Sequence, residues 1–157
     1  MAQMIFVPMT RDEAWALRAG AGTERYLGCA ATPSLAASME ADTVEEEVEY
    51  AALNNAGVLA LALKPNAARL VVAAEVSEEQ VSDLNRPHGE VEVERLTWAQ
   101  VRALFADEPA ALEAVRLARQ AVAGESIAAA LTAPQVVTVR DDYELLWFAP
   151  QELDQLP

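Results

Sequence analysis

The single histidine, His88, stands between Pro87 and Gly89. A hydroxyl or thiol nucleophile needs a histidine or equivalent base within hydrogen-bond reach. An Arg86-Pro87-His88-Gly89 turn places the imidazole on an exposed loop instead. Carboxylates are the other source of acid–base chemistry, and they are densest at Asp42, Glu45, Glu46, Glu47 and Glu49. Such oxygens suit a divalent cation. Consecutive helical positions, however, point about 100° apart, so Glu45, Glu46 and Glu47 cannot converge on one ion. Only Glu45 with Glu49, or Glu46 with Tyr50, share a helix face, and the cluster reads as a solvated helix start rather than a metal site. Cys29 is the only cysteine, which rules out an internal disulfide, and it reads as a small buried residue in a strand. There is no GxGxxG, P-loop or HExxH, and Ala19-Gly20-Ala21-Gly22 lacks the lysine of a phosphate cradle, so no cofactor is expected. Asp141-Asp142 reads as turn chemistry. Trp15, Trp98 and Trp147 lie within apolar runs and are expected in the core.

One grouping depends on strand order. Thr32 opens a helix just after a strand, and Gln151-Glu152 follow the last strand; the ends of neighbouring strands are where α/β proteins build sites. If those two strands are adjacent, Tyr26, Thr32, Glu144, Gln151 and Glu152 share a crevice and are the expected binding residues.

The elements that must position these groups are organised around Glu45 to Leu63. Val44, Val48, Ala51, Ala52, Asn55, Leu59 and Ala62 fall on one stripe, and from Leu53 onward the apolar residues point in every direction. This is a helix that starts wet and ends buried, with Asp42 or Thr43 to cap it. The rival reading stops the helix at Asn54-Asn55-Ala56-Gly57 and makes 58–63 a strand turning through Lys64-Pro65-Asn66.

Around it, Met4–Val7, Arg25–Ala30, Arg69–Val76 and Glu90–Arg95 read as strands, the last with Val91 and Val93 inward and its glutamates on a wet face. Gln135–Arg140 and Tyr143–Ala149 read as a hairpin about Asp141-Asp142. Thr10, Ser77 and Thr97 each head a capping box and should open helices, the last turning Val101, Leu104 and Phe105 inward. Thr32-Pro33 opens a short helix. A further helix starts at Asp107, carries the stripe Leu112, Val115, Ala118 and Val122, and ends at Gly124. In the last run, Leu145 and Trp147 face one way and Leu146 and Phe148 the other, which predicts an interior strand. Leu153 to Pro157 look like a short tag with little to bury. The fold class is α/β: a single domain over 1–157 with a mixed sheet of about five or six strands, helices packed on it and one long central helix.

The 157 residues are 53% apolar and carry a formal net charge of −14. That field repels polyanions, so neither nucleic acid nor an anionic membrane is an expected partner. No secretory leader or stretch of about 18 apolar residues is present, so a cytoplasmic location is expected.

Four runs together resemble a known family: Ala-Thr-Pro-x-Leu at 31–35, Glu-Tyr-Ala-Ala-Leu at 49–53, Val-Val-Ala-Ala-Glu-Val at 71–76 and Glu-Leu-Leu-Trp-Phe-Ala-Pro-Gln-Glu at 144–152. They look like an uncharacterised actinobacterial family catalogued as a domain of unknown function. The resemblance implies a stand-alone cytosolic domain and a helix that continues past Leu53. It implies no activity, cofactor or catalytic residue. Because residues that activate nucleophiles are scarce, the leading expectation is a non-catalytic module that binds a protein or a small molecule. The alternative is a carboxylate-based hydrolase or transferase using Glu and Asp with Tyr as acid and base.

Overall fold

A computed structural model describes residues 2–64 and 68–157. The central helix, α3, spans Glu45–Leu63 without a break. Its first half buries only Val48, Ala52 and Leu53, whereas 56–62 are all buried, so the passage from wet to dry runs along its length. The stop at Asn54 to Gly57 does not occur; Pro65 and Asn66 of the rival turn lie outside the described residues. The cap differs from expectation. Val44 is the N-cap and offers no side-chain bond, while the Thr43 hydroxyl donates to the Glu40 carbonyl at 2.6 Å. Glu45, Glu46 and Glu47 in the first turn complement the helix dipole. At the other end, Arg119 Nη1 donates to the carbonyls of Ala60 at 3.0 Å and of Lys64, closing acceptors that the last turn leaves open.

Among the described residues seven strands form one sheet: β1 (Ala2–Pro8), β2 (Arg25–Ala30), β3 (Leu70–Ser77), β4 (Val81–Asp83), β5 (Glu90–Glu94), β6 (Val101–Ala106) and β7 (Leu146–Phe148). Their order is β4-β5-β2-β1-β3-β6-β7. The α/β class holds, but every pairing is antiparallel, so the sheet is not mixed in direction and has seven strands rather than five or six. Both faces are covered. Phe6, Cys29, Val71, Ala73 and Ala103 share a core with α3, α4 (Leu112–Val122), α5 (Ile127–Leu131) and α6 (Pro134–Asp142). Ile5, Val7, Val72 and Leu104 face the other way, onto Ala14 and Leu17 of α1 (Arg11–Arg18) and onto Leu153 and Leu156. Alternation along β1 therefore feeds two cores, as period-2 geometry requires.

Local signals misled where a tertiary partner decided the outcome. At Ser77 and Thr97 only half of each box forms, Gln80 Oε1 accepting from Ser77 N at 3.2 Å and Gln100 Oε1 from Thr97 N at 3.1 Å with no cap bond to either hydroxyl, and each opens only one 3-10 turn, Glu78–Gln80 and Trp98–Gln100, before the chain extends into β4 and β6. Gln80 and Gln100 hydrogen-bond each other at 2.8 and 3.2 Å, so the two boxes staple one another instead of starting helices. Val101, Leu104 and Phe105 consequently lie in a strand. Gln135–Arg140 belongs to α6: Pro134 occupies the first turn, and Val136 and Val139, one turn apart, are the buried pair. Asp141-Asp142 ends that helix and is no hairpin turn. β7 is an edge strand, with Leu146 39% and Trp147 60% exposed, so the expectation of an interior strand fails. Trp15 and Leu112 are exposed as well, while Leu153 and Leu156 are core residues rather than a tag. A short helix, α2 (Pro33–Ala37), follows its Thr32 cap as the sequence predicts.

Candidate functional site

The structure does not bring the five crevice residues together. The grouping required the strands ending near Thr32 and Gln151 to be neighbours, but β1, β3 and β6 lie between β2 and β7. Four strand spacings amount to about 19 Å. Tyr26 is buried on the α1 face, where its hydroxyl accepts from the Thr23 amide at 3.0 Å. Thr32 is buried and caps α2 by accepting from Leu35 N at 3.2 Å. Glu152 accepts from Ala149 N at 2.8 Å, closing the C-terminal 3-10 turn, and Gln151 is exposed. Thr32 and Glu144 each line a separate cavity, and neither cavity takes in another of the five.

A different cleft, of about 460 Å³, lies between the end of α3, β2, the turn at 86–89 and the start of α5. Leu27, Leu59, Leu63 and Ile127 line it with apolar surface, and Arg86, His88, Glu90 and Glu125 supply polar groups. Leu59 and Leu63 are one helical turn apart and so stand one above the other on α3. Leu63 is left 48% exposed there. The overhanging turn is set by backbone geometry. Gly89 takes φ +82°, its N–H donates to the Arg86 carbonyl at 3.2 Å, and its carbonyl accepts from Ala30 N at 2.9 Å. A Cβ at Gly89 would stand 2.6 Å from the Ala30 carbonyl oxygen, so only glycine fits. His88 is half-buried rather than exposed.

Asn55 ties this turn to the central helix, its Nδ2 donating to the His88 carbonyl at 3.0 Å. This explains an amide on an apolar stripe. Asn55→Leu should destabilise the protein by about 0.5 to 1.5 kcal/mol, the usual net worth of one such bond. Urea denaturation checks it, and an unchanged midpoint would mean that the bond to the turn contributes nothing.

Arg86 Nη1 pairs with Glu90 Oε2 at 3.0 Å, and the Glu90 side chain is buried. Burial, and then the Glu90 carboxylate, push the Cys29 thiol well above its ordinary range, which keeps it protonated and inert as a nucleophile. A second polar grouping surrounds Tyr50, whose hydroxyl donates to Glu144 Oε1 at 2.6 Å, with Asn54, Arg140, Asp141 and Asp142 nearby. The bond to Glu144, ahead of partial burial, raises the Tyr50 pKa. On Glu49, burial and then Glu45 and Glu46 raise the carboxyl pKa. Among the described residues no three His, Cys, Asp or Glu side chains are placed to hold a metal ion. No helix among them is long and apolar enough to cross a membrane.

Fold and cleft together define an antiparallel α/β domain with an amphipathic recess at the end of its central helix. The chain belongs to a family of unknown function (DUF6912), whose family model matches residues 4–156. No curated protein and no solved structure matches it. The sequence carries the signal of the Arg86–Gly89 turn, but the folding of that turn over α3 depends on the long-range pairing of β2 with β5.

Proposed function

We propose that the protein is a non-catalytic binding module whose cleft at Leu59 and Leu63 takes a small amphipathic molecule with an apolar body and a cationic head. The observation that carries this reading is Leu63, half-exposed over an apolar recess of about 460 Å³ on a helix turn that is otherwise buried. Recesses of roughly 300 to 1,000 Å³ with a few convergent polar groups are the usual form of small-molecule sites. The rim favours a cation. Arg86 is matched by Glu90, whereas Glu125 has no ion pair among the described residues. Titration calorimetry with decyltrimethylammonium below its micellar concentration should show one saturable site, with decanoate binding more weakly. Leu63→Gln should weaken it about tenfold, the loss of roughly 1.4 kcal/mol of apolar contact. Absence of saturation, or equal binding by Leu63→Gln, would overturn the reading.

The Tyr50–Glu144 pair supports a second reading, a carboxylate-based hydrolase or transferase. A phenol whose pKa is raised holds its proton, so it fits the role of acid and not of base. Its open, exposed surroundings speak for the binding module instead.

A further inference from the structure

Among the described residues no strand pairs with the outer edge of β7, and Leu146, Trp147 and Phe148 include no lysine, proline or other residue that blunts such an edge. Trp147 is 60% exposed. It stands opposite Phe105, which packs into the core on the α3 side, so Trp147 projects from the same face of the sheet as Tyr50. Just before the strand, Glu144 holds the Tyr50 hydroxyl, and Asp141 and Asp142 line the same cavity. Three carboxylates face one guanidinium there, that of Arg140, which lies 3.5 Å from Asp141. From Glu144 to Trp147 the chain advances three residues, or roughly 10 Å, which is the span of a few residues of an extended peptide.

We propose that β7 is a docking edge for an extended, basic segment of a partner protein. The segment adds a strand beside Leu146–Phe148, lays an apolar side chain on Trp147 and sets a lysine or arginine on Tyr50 among Asp141, Asp142 and Glu144. Main-chain hydrogen bonds at a free edge supply the attachment and the flanking side chains choose the sequence. Charge decides the occupant. A second copy of this chain would bring another net −14 and the same carboxylates to the junction, whereas a basic segment is drawn to them.

The test uses the full chain, labelled with nitrogen-15, and a capped probe peptide, Thr-Lys-Val-Lys-Val-Thr. Amide shifts should move at 144–148 and at the Trp147 indole, saturably and less at high salt. A peptide with glutamate for lysine should not bind. Trp147→Ser should weaken the complex about tenfold, and so should the combined D141N, D142N and E144Q variant; these side chains are exposed, and retained melting temperatures would show that both variants fold. Shifts that spare 144–148, or affinity unchanged in both variants, would overturn the proposal. Sedimentation showing dimerisation that Trp147→Ser abolishes would do so too, by assigning the edge to a second copy.

Discussion

Asp107→Ala should cost about 3 to 5 kcal/mol, the expense of leaving a buried charge without its partner. Arg69 and Asp107 are 5% and 0% exposed. The carboxylate accepts the Arg69 amide at 2.6 Å, Nε at 3.0 Å and Nη2 at 2.6 Å, while Nη2 also donates to the Tyr143 carbonyl at 2.7 Å. One pair thus fastens the entry to β3, the exit from β6 and the approach to β7. The guanidinium lies against α3 at Gly57, where an added Cβ would stand 3.7 Å from Nη1. Burial lowers the Arg119 pKa and Asp107 offsets this, while Arg119 Nε and Nη2 are buried with no hydrogen-bond partner among the described residues. Removing the carboxylate therefore leaves the Arg69 guanidinium with the Tyr143 carbonyl alone among the described residues and takes a favourable charge away from the half-buried Arg119. Replacing both members, Arg69→Met with Asp107→Leu, should recover much of the loss, because no buried charge of the pair remains. Urea denaturation of the three proteins measures this. A cost below about 1 kcal/mol for Asp107→Ala would show that water reaches the pair.

The limits of legibility follow from the range of the interactions. α3 and β2 match their expected boundaries, because apolar periodicity and bounding residues lie within the segments themselves. The Thr10 box and its α1 helix were legible for the same reason. At Ser77 and Thr97 the sequence signal is equally good, but the Gln80–Gln100 bond, between residues twenty apart, and the pairing of β4 with β5 and β6 with β3 send the chain into strands. Val136 and Val139 illustrate the converse, β-branched residues held in a helix because both bury against the α3 core. The five-residue crevice failed on strand order, which no single sequence states. The cleft at Leu63 was hidden because a helix apolar on all sides gives no hint of which residue lacks a neighbour.

A chain truncated after Glu152 should be the most damaged variant of all, although the sequence presents 153–157 as a tag. Leu153 is 0% and Leu156 7% exposed, and both pack with Ala14 and Leu17 of α1 against the sheet. Each is comparable with a buried leucine whose loss to alanine costs about 2 to 5 kcal/mol. Truncation also removes Asp154, which binds Arg18 through two oxygens at 3.0 and 3.1 Å, and the Pro157 carbonyl that accepts from Arg11. These exposed contacts are worth little by themselves and serve to keep the turn against α1. The sum, on the order of 5 kcal/mol or more, reaches the lower range of a whole domain's 5 to 15 kcal/mol. Leu153→Ala offers the graded version of the same test. At about 2 to 4 °C per kcal/mol for a chain of this size, it should lower the melting temperature by roughly 4 to 20 °C. If calorimetry finds the truncated chain melting within about 3 °C of the full one, the two leucines are not part of the cooperative core, and α1 must hold the sheet without them.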